Sequence, residues 1–372
     1  MINRTLSERI HSKIGRGKAI MIIGPRQVGK TTLIKKYLEG LDYKFFDGDD
    51  PVTRTQLDTP NTEQIRVLLG KKKVVFIDEA QRINNIGLTM KIIVDQFPDV
   101  QLWISGSSSF SLFNELNEPL TGRKWEYEMF PISWEEFEND KGYLTAERQF
   151  EDRLRFGMYP DVINNPGEEI EILQTLVNSY LYRDILSYSG IKKPDVLDKL
   201  VRAIALQVGN EVNYNELSQL VGVDKNTVEK YISVLEQGYV VFRLPSYSRN
   251  VRNEIKKGRK IYFYDNGIRN MIIGAMNEVS LRTDIGALWE NFLISERVKQ
   301  NKYKLTLAKS FFWRTSQQQE IDYVEEIGTT LKAFEFKWNP QKKAKISKTF
   351  TEQYNAEGAV ISRNNFRDFV ML

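Results

Sequence analysis

The sequence has no cysteine and a single histidine, His11. The first absence excludes disulfides, thiolate metal sites and a cysteine nucleophile, and it suits a cytosolic protein. The second excludes a multi-histidine zinc site and confines any Ser-His-Asp triad to a histidine near the amino terminus. No stretch approaches the ~18 uninterrupted apolar residues of a membrane helix. Residues 1–18 mix Arg, Glu, His and Lys with no long apolar core, so a secretory signal is not expected. The expectation is a cytoplasmic chain with no membrane partner. Charge of one sign is lacking too. Lys plus Arg is 53 and Asp plus Glu is 49, a net charge of +4, too mild by itself to point to nucleic acid. Chemistry in such a chain must run on carboxylates, lysines, arginines, backbone amides or bound metal.

What is present is a globular composition of 372 residues, 41% hydrophobic and 27% charged, long enough for two or three domains. Short apolar runs at 19–23, 43–46, 73–77, 101–104 and 125–130 have the length of buried strands. Helical stretches at 30–39 and 88–96 separate several of them, which predicts a parallel sheet covered on both faces. Residues 133–193 read as helices. Further strand-like runs follow at 239–244, 260–264, 310–313, 321–324 and 331–338.

The run Gly24-Pro25-Arg26-Gln27-Val28-Gly29-Lys30-Thr31 fits G-x-x-x-x-G-K-[ST] at every fixed position, with a strand entering and a helix leaving. Glycines let backbone amides turn inward around phosphates, and the helix start adds its positive dipole end. Lys30 is expected to reach the β- and γ-phosphates of ATP and the Thr31 hydroxyl to ligate Mg²⁺. Thr32 completes the nucleotide-binding set. The strand 74–77 ends in Asp78 and Glu79. Asp78 at the strand tip suits the Mg²⁺ shell, and Glu79 suits polarising the attacking water. The strand 101–104 ends in Ser105-Gly106-Ser107-Ser108, hydroxyls placed to bond a γ-phosphate or the water. Arg123 precedes the last strand of this region and is expected to project into a neighbouring subunit's nucleotide. No guanine-reading N-K-x-D occurs, so ATP is favoured over GTP.

Gly24–Leu33, Asp78-Glu79-Ala80-Gln81, Gly106-Ser107 and Leu120-Thr121-Gly122-Arg123 together resemble the prokaryotic AAA+-like ATPases of AAA domain family 14, whose members usually carry a carboxy-terminal DUF4143 domain. The resemblance runs in order along nearly the whole chain. It implies an additional-strand P-loop fold and a homo-oligomer, a hexamer first of all. A second-sensor arginine, Arg155 or Arg183, is not distinguished by it.

Residues 214–223 and 224–235 read as two helices around a glycine turn, with Val228, Ile232 and Leu235 on one helical face. The runs 239–244 and 260–264 then suit the hairpin of a winged helix. Lys256, Lys257, Arg259 and Lys260 are expected on its wing, facing phosphates of DNA.

Near the carboxyl end, Glu290 lies in a helical stretch, Asp322 in a strand, and Glu335 and Lys337 in Ala333-Phe334-Glu335-Phe336-Lys337-Trp338. Strand alternation puts Glu335 and Lys337 on one face. Carboxylates from two strands and a helix suit a Mg²⁺ site, with Asp322 and Glu335 as ligands and the lysine beside the attacking water. The order resembles the PD-(D/E)XK nucleases, in particular archaeal-type Holliday junction resolvases, which implies a restriction-endonuclease-like domain acting on duplex or branched DNA. Arg314, Lys342, Lys343, Lys345 and Lys348 flank it as candidate phosphate contacts.

The expected fold is therefore α/β: a P-loop ATPase core at 1–132, a helical lid at 133–193, a winged helix at 194–274 and a nuclease-like α/β domain at 275–372. Two functions remain open, a DNA-processing ATPase coupled to a Mg²⁺-dependent nuclease, and a nucleotide-dependent switch that binds DNA or protein without cleaving it.

Overall fold

The computed structural model describes residues 2–106, 120–178, 185, 191, 193–248, 258–315, 317–342 and 345–371. The chain divides into two compact units, Met1–Phe130 with Gln237–Tyr239, and Pro131–Glu236 with Val240–Leu372.

In the first unit five short strands pair in parallel: β1 (Ala19–Ile23), β2 (Tyr43–Asp47), β3 (Val74–Asp78), β4 (Gln101–Gly106) and β5 (Lys124–Glu128). Every residue of β1 is buried, as a strand covered on both faces requires. Ala19, Met21 and Ile23 enter one core with Ile65, Met90 and Ile93. Tyr37 stacks on Trp103 of β4, with ring centroids 5.4 Å apart. The described α-helices of this unit are α1 (Leu6–His11), α2 (Lys30–Leu38), α3 (Pro51–Leu57), α4 (Thr62–Leu69) and α5 (Ile86–Gln96). The Asp50 side chain caps α3, with Pro51 in its first turn, and an Asn61–Gln64 capping box starts α4, each satisfying amides that a helix start leaves open. The sheet order is β2-β3-β4-β1-β5. Since β4 is inserted between β1 and β3, the carboxyl ends of all three strands meet at one crevice, where open α/β sheets bind ligands.

Among the described residues the second unit opens with helices: α6 (Trp134–Lys141), α7 (Tyr143–Arg148), α8 (Phe150–Phe156), α9 (Pro160–Asn164) and α10 (Glu169–Val177). Next come α11 (Pro194–Leu206), β6 (Glu211–Val212), α12 (Tyr214–Val221), α13 (Lys225–Gln237), β7 (Val241–Pro245) and β8 (Arg259–Phe263). These strands form an antiparallel sheet in the order β6-β8-β7. Strand β7 starts two residues later than its apolar run suggests, because Tyr239 adopts a left-handed φ of 57°. Helix α14 (Asn266–Ile273) packs on α8, α10 and α11.

The last part is α15 (Ile285–Lys304), β9 (Lys309–Arg314), β10 (Glu320–Ile327), β11 (Thr330–Lys337), α16 (Lys348–Tyr354), β12 (Glu357–Ser362) and α17 (Arg367–Val370). Its sheet runs β12-β11-β10-β9, antiparallel except for the parallel β11–β12 pair joined through α16. Chain leaving β7 runs into this sheet. Ser246 bridges Phe312, and the Tyr247 amide donates to the Phe312 carbonyl at 2.6 Å. The Tyr247 ring lies in the core with Phe311, Trp313, Ile321 and Phe350. Among the described residues no helix is long and apolar enough to cross a membrane.

Candidate nucleotide site and the carboxy-terminal acidic cluster

The phosphate loop joins β1 to α2 at the carboxyl edge of the first sheet. Its first glycine is required twice over. Gly24 has φ 150°, and a Cβ there would stand 2.0 Å from the Met129 carbonyl oxygen. Gly29, at φ 94°, precedes α2. Lys30 is 4% exposed, and its Nζ donates to the Gly24 and Pro25 carbonyls at 3.0 and 2.6 Å. The loop is braced from behind by Arg4, a buried residue that motif reading passed over. Its guanidinium donates to the Val28 carbonyl at 2.8 Å and to the Phe130 carbonyl at 2.5 Å.

Across the crevice, the Thr31 hydroxyl donates to Asp78 Oδ1 and Oδ2 at 3.0 and 2.9 Å. Ser105, at the tip of β4 and fully buried, bonds Asp78 Oδ1 through its hydroxyl. Glu79 has φ 48°, a left-handed conformation uncommon for a side chain of this size. It is the bend that turns the chain at the end of β3. Gln81 Nε2 donates to Glu79 Oε2 at 2.5 Å. Gly48, leaving β2, passes so close that a Cβ would lie 2.4 Å from the Glu79 carbonyl oxygen. The Thr31 hydroxyl and the Asp78 carboxylate are hard oxygen donors within 3.0 Å of each other, a pair that fits Mg²⁺.

Arg123 lies elsewhere. Its carbonyl accepts from the Ala19 amide at 3.0 Å, at the start of β1, so it sits at the amino edge of the sheet, the edge opposite the phosphate loop. Its Nε donates to Asp95 at 2.6 Å. The structure does not bring it to its own chain's loop. Ser107, Ser108 and Arg183 lie outside the described residues. Arg155 donates to the Met276 carbonyl at 2.6 Å within the second unit.

In the second unit the four expected residues converge, but with company. Asp322 Oδ2 accepts from the Phe336 amide at 2.7 Å, which sets it beside Glu335 across the β10–β11 ladder. On its other side, against β9, the register of β10 shifts between Ile321 and Val324. The shift inserts one extra residue, so that Ile321 and Val324 both enter the same core. Lys337 Nζ donates to Glu335 Oε1 at 2.7 Å. Glu290, from α15, accepts at Oε1 from Lys260 Nζ at 3.1 Å and from the Tyr262 hydroxyl at 2.5 Å. Lys260 also pairs with Glu320 Oε1 at 2.6 Å and is 1% exposed.

Loss of solvent, and then the Glu290 carboxylate, push Asp322 well above the usual carboxylate range. Desolvation and Asp322 likewise raise Glu335. Burial opposes the charge of Lys260, yet Glu290 and Glu320 outweigh it and hold the lysine above its ordinary value.

These positions correct one expectation. Lys260 is not a wing residue turned to solvent; β8 pairs with β6 and β7 and carries it inward. Lys256 and Lys257 lie outside the described residues, and Arg259 is 3.6 Å from Glu229. Among the described residues no group of three or more histidines or acids is placed to hold a metal ion. Of the flanking basic residues, Arg314 lies 3.9 and 4.0 Å from Glu211 and Glu320, and Lys343 lies outside the described residues.

The parallel sheet, the phosphate loop and the Thr31–Asp78 pair define a P-loop ATPase domain. Residues 16–138 match the family model described as an AAA domain, 147–279 a domain of unknown function (DUF8612) and 285–370 a domain of unknown function (DUF4143). The chain is similar to an uncharacterized protein of Mycobacterium tuberculosis, 27% identical over 339 residues, covering 90% of this chain and 73% of that protein. It is also similar to an uncharacterized protein of Methanocaldococcus jannaschii, 23% identical over 347 residues, covering 86% and 75%. Among solved structures it is similar in fold to a Walker-type ATPase of Pyrococcus abyssi, with a TM-score of 0.52, 14% identity and coverage of 73% of this chain and 96% of that one.

Proposed function

We propose that this protein is an ATP-hydrolysing, nucleotide-dependent switch whose second unit binds DNA without cutting it. The observation that carries the reading is the meeting of Lys30, Thr31, Asp78, Ser105 and Glu79 at one edge of the parallel sheet. Lys30 would exchange its loop carbonyls for the β- and γ-phosphates, which are stronger acceptors for an ammonium. Thr31 and Asp78 would hold the Mg²⁺ that accompanies ATP and neutralises its phosphate charge. Glu79, oriented by Gln81, takes the proton of the attacking water. Loss of Lys30 therefore weakens ATP binding, read by equilibrium titration with a fluorescent ATP analogue, whereas loss of Glu79 spares it.

Arg123 fits this scheme only in trans, in a homo-oligomer with a hexamer favoured, because the sheet separates it from its own phosphate loop. Arg123→Ala and Glu79→Gln chains, each inactive alone, should recover roughly a quarter of wild-type turnover when mixed in equal amounts. Random assembly pairs an intact Glu79 with a neighbour's intact Arg123 in that share of interfaces. A mixture as inactive as its parts rules this role out.

For the second unit, the order helix, strand, helix, helix, strand, strand from α11 to β8 supports a winged helix at 194–274. The order helix, three strands, helix, strand from α15 to β12 supports a nuclease-like scaffold at 275–372, with 133–193 as the lid. Two acids of α13 are matched from the sheet, Glu229 by Arg259 and Glu236 by Arg243, while Lys225, Asn226 and Lys230 are exposed. That leaves a basic face for DNA phosphates. Lys225→Ala/Lys230→Ala should weaken duplex binding and lower the salt dependence of log K by about 2. An unchanged slope, or no binding of linear or branched DNA by the wild type, counts against DNA as the partner.

A further inference from the structure

Lys260 sits where a cation is wanted. It is 1% exposed, it belongs to β8 rather than to the carboxy-terminal sheet, and its ammonium lies 3.1 Å from Glu290 and 2.6 Å from Glu320. The Tyr262 hydroxyl, two residues on and on the same strand face, holds the same Glu290 oxygen at 2.5 Å. On the far side Lys337 holds Glu335 at 2.7 Å, and the Phe336 amide holds Asp322. Each of the three acids expected to take a metal thus already has a donor from this chain. Two ammonium groups face four carboxylates. A divalent ion entering among them would meet both positive charges at short range, and moving Lys260 aside would strand a buried ammonium without its partners.

We propose that Lys260 is the resident cation of this acidic cluster, so that the cluster is a metal-independent joint locking β8 to α15 and β10 rather than a divalent-cation site. The inference does not depend on the ATPase. It deepens the non-cleaving half of the reading above, by giving the reason the scaffold would not cut.

The test is Mn²⁺ binding by the full-length, nucleotide-free protein, followed by electron paramagnetic resonance, with Asp322→Asn run in parallel so that any ion near the phosphate loop cancels. Wild type and Asp322→Asn should bind alike, showing no Mn²⁺ that depends on Asp322. Lys260→Gln removes the charge, keeps a polar side chain of similar reach, and should gain one Mn²⁺ per chain that Lys260→Gln/Asp322→Asn loses. Lys260→Arg, which keeps the charge, should gain none. Asp322-dependent Mn²⁺ in the wild type overturns the proposal, and so does a folded Lys260→Gln protein that gains no ion. If Lys260→Gln fails to fold, the wild-type comparison alone decides. ATP turnover is a separate readout, so failure here leaves the ATPase reading standing, and failure of ATP hydrolysis leaves this one standing.

Discussion

Glu79→Gln protein is expected to hold ATP as tightly as the wild type and to hydrolyse it about 100-fold more slowly, the usual effect of losing a positioned general base. That corresponds to about 2.7 kcal/mol of transition-state stabilisation. The substitution is chosen for what it preserves. Glutamine has the same length and keeps an oxygen for the Gln81 amide to bond. It tolerates the left-handed backbone no worse than glutamate does, since both carry the same Cβ. Only the capacity to accept a proton is removed, so a loss of turnover without a loss of affinity isolates that role. Single-turnover hydrolysis together with ATP titration checks it. Turnover equal to wild type sinks the assignment of Glu79. A fall in affinity as large as the fall in rate means that the side chain shapes the crevice instead.

The largest stability effect is expected at Glu325, which is 1% exposed. Arg297 donates to both of its oxygens, at 3.0 and 2.5 Å; Asn301 donates at 2.6 Å and the Tyr323 hydroxyl at 3.2 Å. Arg297 also donates to the Phe369 carbonyl of α17 at 2.8 Å. Glu325→Ala strips a buried guanidinium of its counter-charge and should cost about 3–5 kcal/mol. Arg297→Met/Glu325→Leu removes both charges and should recover most of that loss. Urea unfolding followed by the tryptophans of the second unit measures both, and an unchanged midpoint in Glu325→Ala excludes the argument. Burial opposes ionisation of Glu325, but the Arg297 hydrogen bonds outweigh it and hold its pKa below the ordinary value. The pair's contribution is thus complete above the ordinary glutamate pKa. It is lost as the pH falls through the lower, folded value.

The geometry of the candidate nucleotide site was legible because its parts are local in sequence. Eight consecutive residues make the loop, and Asp78, Glu79 and Ser105 each stand at the end of an apolar run that reads as a strand. The same locality explains why the shared strand face of Glu335 and Lys337 was readable, since alternation along one strand decides it. What escaped depends on distance along the chain. Arg4 reaches residues 24 and 126 positions away, and nothing near it in the sequence says so. Lys260 stands in a basic stretch with Lys256, Lys257 and Arg259, and which of these turns inward is set by the pairing of β8, not by composition. The extra residue between Ile321 and Val324 has no signature either, because Ile-Asp-Tyr-Val reads as ordinary alternation until the neighbouring strand fixes the register. Strand β12 was missed since its first three residues, Glu357, Gly358 and Ala359, are exposed and only its end is apolar.

Tyr247 limits which parts of the fold could be exchanged by recombination. It follows β7 in sequence, yet its ring is seated among Phe311, Phe350 and Tyr354 of the carboxy-terminal sheet and its helix. A recombination event with its breakpoint between residues 248 and 285 would supply a new carboxy-terminal sheet without the ring that plugs it, and leave the donor strand with an aromatic side chain and no socket. The segment that follows β7 and the carboxy-terminal sheet therefore share one core, and exchanging the sheet alone would open it.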